Sequence, residues 1–398
     1  MILWVGCEAE KYEKRGFGIR ALGHSVVQVC VFYPPKCLNA LLSSNYLYPV
    51  KADYLIVGQG IAGSVMALTL EQRGKSVAIV NDASLSSSSR IAAGIYNPFN
   101  FRRSGPTWEA VNASSAVRKF YENAERITGE KFHEVQPITR IFGSQREREE
   151  WEIYLKNSDG TFAEKMVDAV PGLRLRTPFG CGILAGGGVV YTGKFVATAH
   201  KYFSNRGYYL SEKFDHAQLS VNENAVNYAD RVEASHIIFC EGHCATNNPY
   251  FDTRTIAPTK GEVLHVRIPG LNLDHVVNGQ VYLVPLGNEI YACGATFNPG
   301  RNDEGLTAAG KVELMTKLMA TTDLPYEVVG HYAGVRPAGR DRKPVVGRSR
   351  DHRNLSIFNG FGSKAVLMSP FLAQMLADHL ENNAELPPEV NVARFKVY

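Results

Sequence analysis

The sequence predicts an α/β fold: a parallel-sheet domain assembled from discontinuous segments, joined to an α+β domain with a mainly antiparallel sheet. Three observations carry this expectation. Residues 53–82, DYLIVGQGIAGSVMALTLEQRGKSVAIVND, read as strand, glycine turn, helix and second strand. From Thr259 to Gly294 the texture changes to short strands of alternating polarity at Glu262–Val266, Gln280–Val284 and Ile290–Cys293. The first texture then returns, with a strand at Leu355–Phe358, a turn at Asn359–Gly362 and a helix over Ala365–Leu380.

The opening segment is a βαβ unit with G-x-G-x-x-G at the junction of strand and helix. Gly58 allows a tight turn, Gly60 lets the backbone approach a pyrophosphate, and Gly63 lets the helix pack closely on the strand. Ile61 and Ala62 open the helix, whose N-terminal N–H groups and dipole attract phosphate. The unit is therefore Rossmann-like and binds a dinucleotide. About 20 residues after the turn an acidic side chain is expected to hold the ribose hydroxyls. Asn81 stands there, followed by Asp82. Asparagine accepts a hydrogen bond less strongly than a carboxylate, so the spacing supports an adenine dinucleotide without choosing FAD over NAD.

Between these ends, the serine-rich stretch Ser84–Ser89 is either a plain flexible loop or a cofactor-adjacent one leading into Arg90-Ile91-Ala92-Ala93-Gly94. An amphipathic helix is expected over Trp108–Thr128, a strand at Ile138–Phe142 and a helix at Glu147–Leu155. The glycine-rich Gly180–Gly188 leads to Val189–Thr192 and a helix over Lys194–Asn205, and Ile237–Cys240 reads as a buried strand before Glu241-Gly242.

Composition narrows the function. The chain has 398 residues, 45% of them hydrophobic, enough for two domains with substantial cores. Its formal net charge of +4 carries no strong nucleic-acid signal. The seven scattered cysteines suit a reducing, cytoplasmic compartment rather than a disulfide framework. Cys240 and Cys244 flank His243 without a second ligand pair, so the cysteines read as buried apolar thiols and no metal site is expected. Residues 1–50 contain no run near the roughly 18 apolar residues a membrane span needs, and Glu8, Glu10 and Lys11 break the order of a secretory signal. They read as an N-terminal extension.

In order along the chain, the first βαβ unit, Ala92-Ala93-Gly94, Lys260-Gly261-Glu262, Gly294-Ala295-Thr296, Gly334-Val335-Arg336-Pro337 through Asp341, Pro344 and Gly347, and Gly360-Phe361-Gly362-Ser363 resemble the D-amino-acid oxidase family of FAD-dependent oxidoreductases. Within it the chain resembles bacterial glycine oxidase, and also the oxidase half of the bifunctional enzyme that modifies the tRNA wobble uridine. The resemblance covers about Lys51 to Glu381. It implies extended FAD, held by a domain of residues 51–130, 185–257 and 334–385, and a substrate domain of residues 131–184 and 258–333, with 386–398 as a tail.

Carried onto this chain, Gly58, Gly60, Ile61, Ala62 and Gly63 would cradle the pyrophosphate, and Asn81 and Asp82 would face the ribose. Ser89, Arg90, Ala93 and Gly94 would pass near the flavin, with Gly242 and Gly334 also at the cofactor. Asn81 departs from the family's usual glutamate. A helix starting near Ser363 or Lys364, after Gly360-Phe361-Gly362, would point its positive end at the flavin's pyrimidine edge and stabilise negative charge there.

Arg336 would anchor a substrate carboxylate, because its planar fork binds one bidentately; Arg102 and Arg103 are weaker candidates. Tyr282 either orients the substrate or packs the sheet. Phe297 falls where glycine oxidase has a pocket methionine, and His331 reads as structural. The implied reaction oxidises the C–N bond of a small amine or amino acid by hydride transfer to flavin N5, with hydrolysis of the imine. Electrons would pass to O₂ or another acceptor. Two alternatives stay open: oxidation of a wobble-uridine side chain on tRNA, and flavin binding without turnover. A homo-oligomer also stays open.

Overall fold

The computed structural model describes residues 49–82, 88–101, 105–157, 162–170, 172–206 and 208–395. Residues 1–48 of the expected extension, Ser84–Ser87 of the serine-rich stretch, Arg102, Arg103 and the last three residues lie outside this set.

An eight-stranded sheet has five parallel strands at its heart, in the order Tyr209–Leu210, Val77–Val80, Val50–Val57, Val232–Phe239 and Leu355–Asn359. The first strand lies between the second and the Val232–Phe239 strand, with Leu55 opposite both Ala78 and Ile237. These runs are apolar at successive positions because both faces of a parallel sheet are covered. Accordingly Leu55, Ile56, Ile79, Ile237 and Ile238 are all buried. On the side of Val232–Phe239 away from the first strand, antiparallel strands are added by Val226–Tyr228 with Leu219–Val221 and, beyond Leu355–Asn359, by Val345–Arg348.

The helix after the first strand, Ile61–Gln72, is apolar around most of its circumference and is buried along most of its length. It packs with Ala365–Asn382 in the largest core cluster. At its far end Arg73 reaches the carboxylates of Asp378 at 2.7 Å and Glu381 at 3.0 Å. The amphipathic Ala110–Thr128 helix joins the same core through Ala113, Val117, Phe120, Tyr121 and Ala124, at helical spacing. It stops at Gly129, whose positive φ lets its N–H bond back to Glu125.

The second large sheet has nine strands and is antiparallel at every pairing except Val276–Asn278 with Ile138–Ile141. Its longest pairing joins Ile256–Arg267 to Glu327–Gly339. The second of these strands had no counterpart in the sequence reading, and it runs across residue 334, where that reading divides two regions. A small third sheet joins Ile95–Tyr96, Gly188–Val190 and His133–Val135. The fold is the expected mixed α/β architecture, with parallel and antiparallel sheets. Among the described residues no helix is long and apolar enough to cross a membrane.

Because Arg73 and Glu381 are mostly buried, with Asp378 half-exposed beside them, and tie two site-bearing helices, Arg73→Ala should cost about 1–2 kcal/mol in urea unfolding. An unchanged midpoint would show that this network contributes nothing.

Candidate active site

All five parallel strands end at one edge of their sheet, and the chain turns there at Gly58, Asn81, Cys240 and Gly360. Ligands of open α/β sheets bind in the crevice beyond these carboxyl ends. A cavity of about 690 Å³ lies there and continues to the second sheet, taking its walls from both. That volume falls inside the roughly 300–1,000 Å³ range of small-molecule and cofactor sites.

The first wall is the glycine turn. Gly58 has φ +89°, and a Cβ on it would lie 2.6 Å from the Cys240 carbonyl oxygen. A Cβ on Gly63 would overlap the Gly58 carbonyl oxygen. Gly63 therefore shapes the turn by close packing and does not itself line the cavity, whereas Gly58, Gly60, Ile61 and Ala62 do. The helix N-cap is Gly60, which places no side chain over the helix end. Ser89 Oγ accepts the Ile61 N–H at 3.1 Å. Arg90, Ala93 and Gly94 also line the cavity, and a Cβ on Gly94 would overlap the Val190 carbonyl.

Asn81 and Asp82 line the cavity as expected, but the Asn81 amide is engaged within the protein. Its Oδ1 accepts the Gln59 N–H at 2.9 Å and its Nδ2 donates to the Tyr209 hydroxyl at 3.0 Å. Tyr209 in turn donates to Gln59 Oε1 at 2.9 Å. The short amide thus clamps the turn. Gln59 and Tyr209 were missed because a three-residue ring closed by a partner 128 positions away leaves no local pattern.

Gly242 lines the cavity beside Cys240, His243 and Cys244. Cys240 is buried, with its thiol pushed well up by burial, while Cys244 is exposed rather than buried as expected. No group of three metal-binding side chains occurs among the described residues.

Gly334, Arg336, Tyr282 and the Phe361–Lys364 segment also line the cavity. Gly360 stays outside the lining; its φ of +77° makes the turn, and a Cβ would meet Val345 at 2.7 Å. A short 3₁₀ turn, Gly362–Lys364, carries Ser363 and leads into the helix that begins at Ala365. Lys364 Nζ donates to the carbonyl and the side-chain oxygen of Asn97, each at 3.3 Å, and burial lowers its pKa to about 8.

Arg336 projects from Glu327–Gly339 and donates through Nη1 to the Thr296 carbonyl at 3.3 Å. Among the described residues neither Arg336 nor Lys364 forms an ion pair with a carboxylate. Tyr282 is pushed well above the ordinary tyrosine value by burial, so its hydroxyl stays protonated and can donate. Asn278, also unforeseen, lines the cavity with Oδ1 held by Arg140 Nη1 at 2.6 Å.

Two other residues lie apart from the cavity lining. His331 contacts Glu262 at 2.8 Å, in keeping with a structural role. Phe297 is 58% exposed and stands outside that lining.

A parallel sheet with a phosphate-type glycine turn and a cavity lined by two cations without carboxylate partners among the described residues define a dinucleotide-dependent enzyme fold. Residues 53–379 match the family model described as FAD dependent oxidoreductase, and the chain belongs to that family.

The chain is 24% identical over 367 residues to the tRNA 5-methylaminomethyl-2-thiouridine biosynthesis bifunctional protein MnmC of Marinobacter nauticus, covering 82% of this chain and 55% of that protein. The same-named protein of Idiomarina loihiensis is likewise covered to 60%, so the chain spans little more than half the length of these relatives. Glycine oxidase of Bacillus licheniformis is 24% identical over 360 residues, covering 83% of this chain and 93% of that protein. The solved glycine oxidase of Bacillus cereus superposes with a TM-score of 0.71 at 22% identity, over 84% of this chain and 96% of that one, which shows a shared fold.

The residues present fit FAD. The turn admits no side chain at Gly58 or Gly63, the N-cap Gly60 places no side chain over the helix end, and the cavity runs on to Lys364. Gly63→Ala should cost about 1–3 kcal/mol by forced overlap and weaken FAD binding in equilibrium dialysis; wild-type affinity would refute the close-packing role.

In FAD-free protein, Lys364 binds fewer protons when folded than when unfolded between about pH 8 and its ordinary 10.5. Wild-type stability should therefore rise through that window by roughly 3 kcal/mol relative to Lys364→Met. Parallel urea curves across this pH range would contradict the burial.

Proposed function

We propose that the chain oxidises the C–N bond of a small amine or amino acid that carries a carboxylate, giving an imine that water hydrolyses. The observation that carries this reading is Arg336: a guanidinium facing the cavity, beside a protonated tyrosine and, among the described residues, without a carboxylate of its own. Burial disfavours its charge, and a bound anion would relieve that cost with two parallel charge-assisted hydrogen bonds.

Bound FAD supplies the two-electron acceptor, and O₂ or another acceptor would reoxidise it. The glycine turn and the N-terminus of Ile61–Gln72 would hold the pyrophosphate. Lys364 and the start of the Ala365–Asn382 helix would place positive charge at the other end of the cofactor, favouring negative charge there. Tyr282 would donate a hydrogen bond to the substrate and Arg336 would fix its carboxylate, so that rate comes from orientation more than from acid–base chemistry. A second reading, oxidation of a carboxylate-bearing side chain on tRNA, draws support from the relatives named for thiouridine biosynthesis. It would use Arg336 in the same way.

The test is anaerobic mixing of the FAD-loaded protein with glycine, D-alanine, other small amines and carboxymethylaminomethyl-bearing tRNA. Loss of flavin absorbance with a carboxylate-bearing amine is expected, and the reducing substrate separates the two readings. Arg336→Ala should then lower kcat/KM on the order of 100-fold or more, with little rescue by Arg336→Lys. If no amine bleaches the flavin, or Arg336→Ala reacts like wild type, the proposal fails.

A further inference from the structure

Lys260-Gly261-Glu262 and Gly294-Ala295-Thr296 contribute no reacting group to the proposed chemistry, yet both segments converge on Arg336. We infer that Gly261 and Thr296 are positioning residues that set the direction of the Arg336 guanidinium, and thereby hold it ready for a small carboxylate. This rests on the reading of Arg336 as the carboxylate anchor.

The register places Thr259 opposite Arg336 and Gly261 opposite Gly334 on the paired strands. Residues two apart on a strand share a face, so the arginine side chain can pass diagonally over Gly261. There it lies directly on the backbone. A Cβ on Gly261 would sit 2.5 Å from the guanidinium carbon and overlap both terminal nitrogens. Any side chain at 261 would lift the fork and turn its edge away from where it now faces.

The second restraint is the Thr296 carbonyl, which accepts from Nη1 at 3.3 Å. Thr296 is itself held from two sides by one residue: its N–H donates to the Glu262 carbonyl at 3.1 Å, and its Oγ1 accepts the Glu262 N–H at 2.8 Å. The Glu262 carboxylate is fully buried and accepts from Thr307 Oγ1 at 2.7 Å and Thr307 N–H at 3.1 Å, with His331 Nε2 at 2.8 Å. Thr307 caps the Ala308–Met319 helix by accepting the Gly310 N–H, so the carboxylate also sits at a helix N-terminus, where negative charge is favoured. Behind Thr296, then, stands a buried network with little freedom to shift. An arginine fixed in this way loses less side-chain freedom when it binds than one that must first be ordered.

Binding of acetate to the FAD-loaded full chain tests the inference without turnover, read as a flavin absorbance difference and as a shift in Tm. Gly261→Ala should raise the acetate Kd by about tenfold or more, since the fork loses bidentate geometry. Thr296→Val, which removes the Oγ1 acceptor, should raise it severalfold, and Thr296→Ser, which keeps that oxygen, should return it to near wild type. FAD affinity should stay unchanged in all three. Wild-type acetate binding by Gly261→Ala and Thr296→Val, alongside its loss in Arg336→Ala, would overturn the positioning roles and leave the anchor standing. Undiminished binding by Arg336→Ala would instead remove the anchor, and the inference with it. Should Gly261→Ala not fold, the contrast between the Thr296 valine and serine variants decides.

Discussion

The site depends on one close approach: the turn after the first strand closes against the end of the Val232–Phe239 strand, with Gly58 packed on the Cys240 carbonyl and Gly63 packed on Gly58. No side chain fits at either position, and the positive φ at Gly58 excludes most residues on backbone grounds alone. That contact fixes where the Ile61–Gln72 helix starts and so where its phosphate-attracting end points. It also places the five parallel strand ends around one opening. The cavity is the space left beyond them, and the second sheet forms its far wall.

The charges are arranged along that cavity by burial. Lys364 and Arg336 are each held in surroundings that disfavour their charged forms, and neither has a carboxylate partner among the described residues. Such cations are costly unless an anion completes them. The protein therefore stores the attraction that a cofactor's developing charge and a substrate carboxylate would release. At the other end, Asn81 is turned inward to hold Gln59 and Tyr209.

Much of this was legible in the sequence because it is local. The βαβ unit, the amphipathic helix ending at Thr128 and the terminal strand–turn–helix each carry their own period, and they occur within a few residues of where they were expected. Glu327–Gly339 was not legible. It contains Gly330, Gly334, Gly339 and Pro337, lacks a clean alternation, and exists because it pairs along nearly its full length with a strand some 70 residues earlier. The role of Asn81 was illegible for the same reason, since Tyr209 comes from a distant strand. Arg336 could be named from its chemistry and from resemblance, but its restraint by Gly261 and Thr296 required the strand register.

The central claim is that one cavity holds an extended dinucleotide from the glycine turn at one end to Lys364 and Arg336 at the other. Calorimetric titration of FAD-free protein with FAD and with FMN tests it most directly, because FMN lacks the adenylate half, and with it the pyrophosphate that the glycine turn would hold. The account predicts one FAD per chain and binding of FMN weaker by about 100-fold or more, as expected when the contacts of a whole subsite are lost. Equal affinity for the two, or no FAD binding at all, would contradict it.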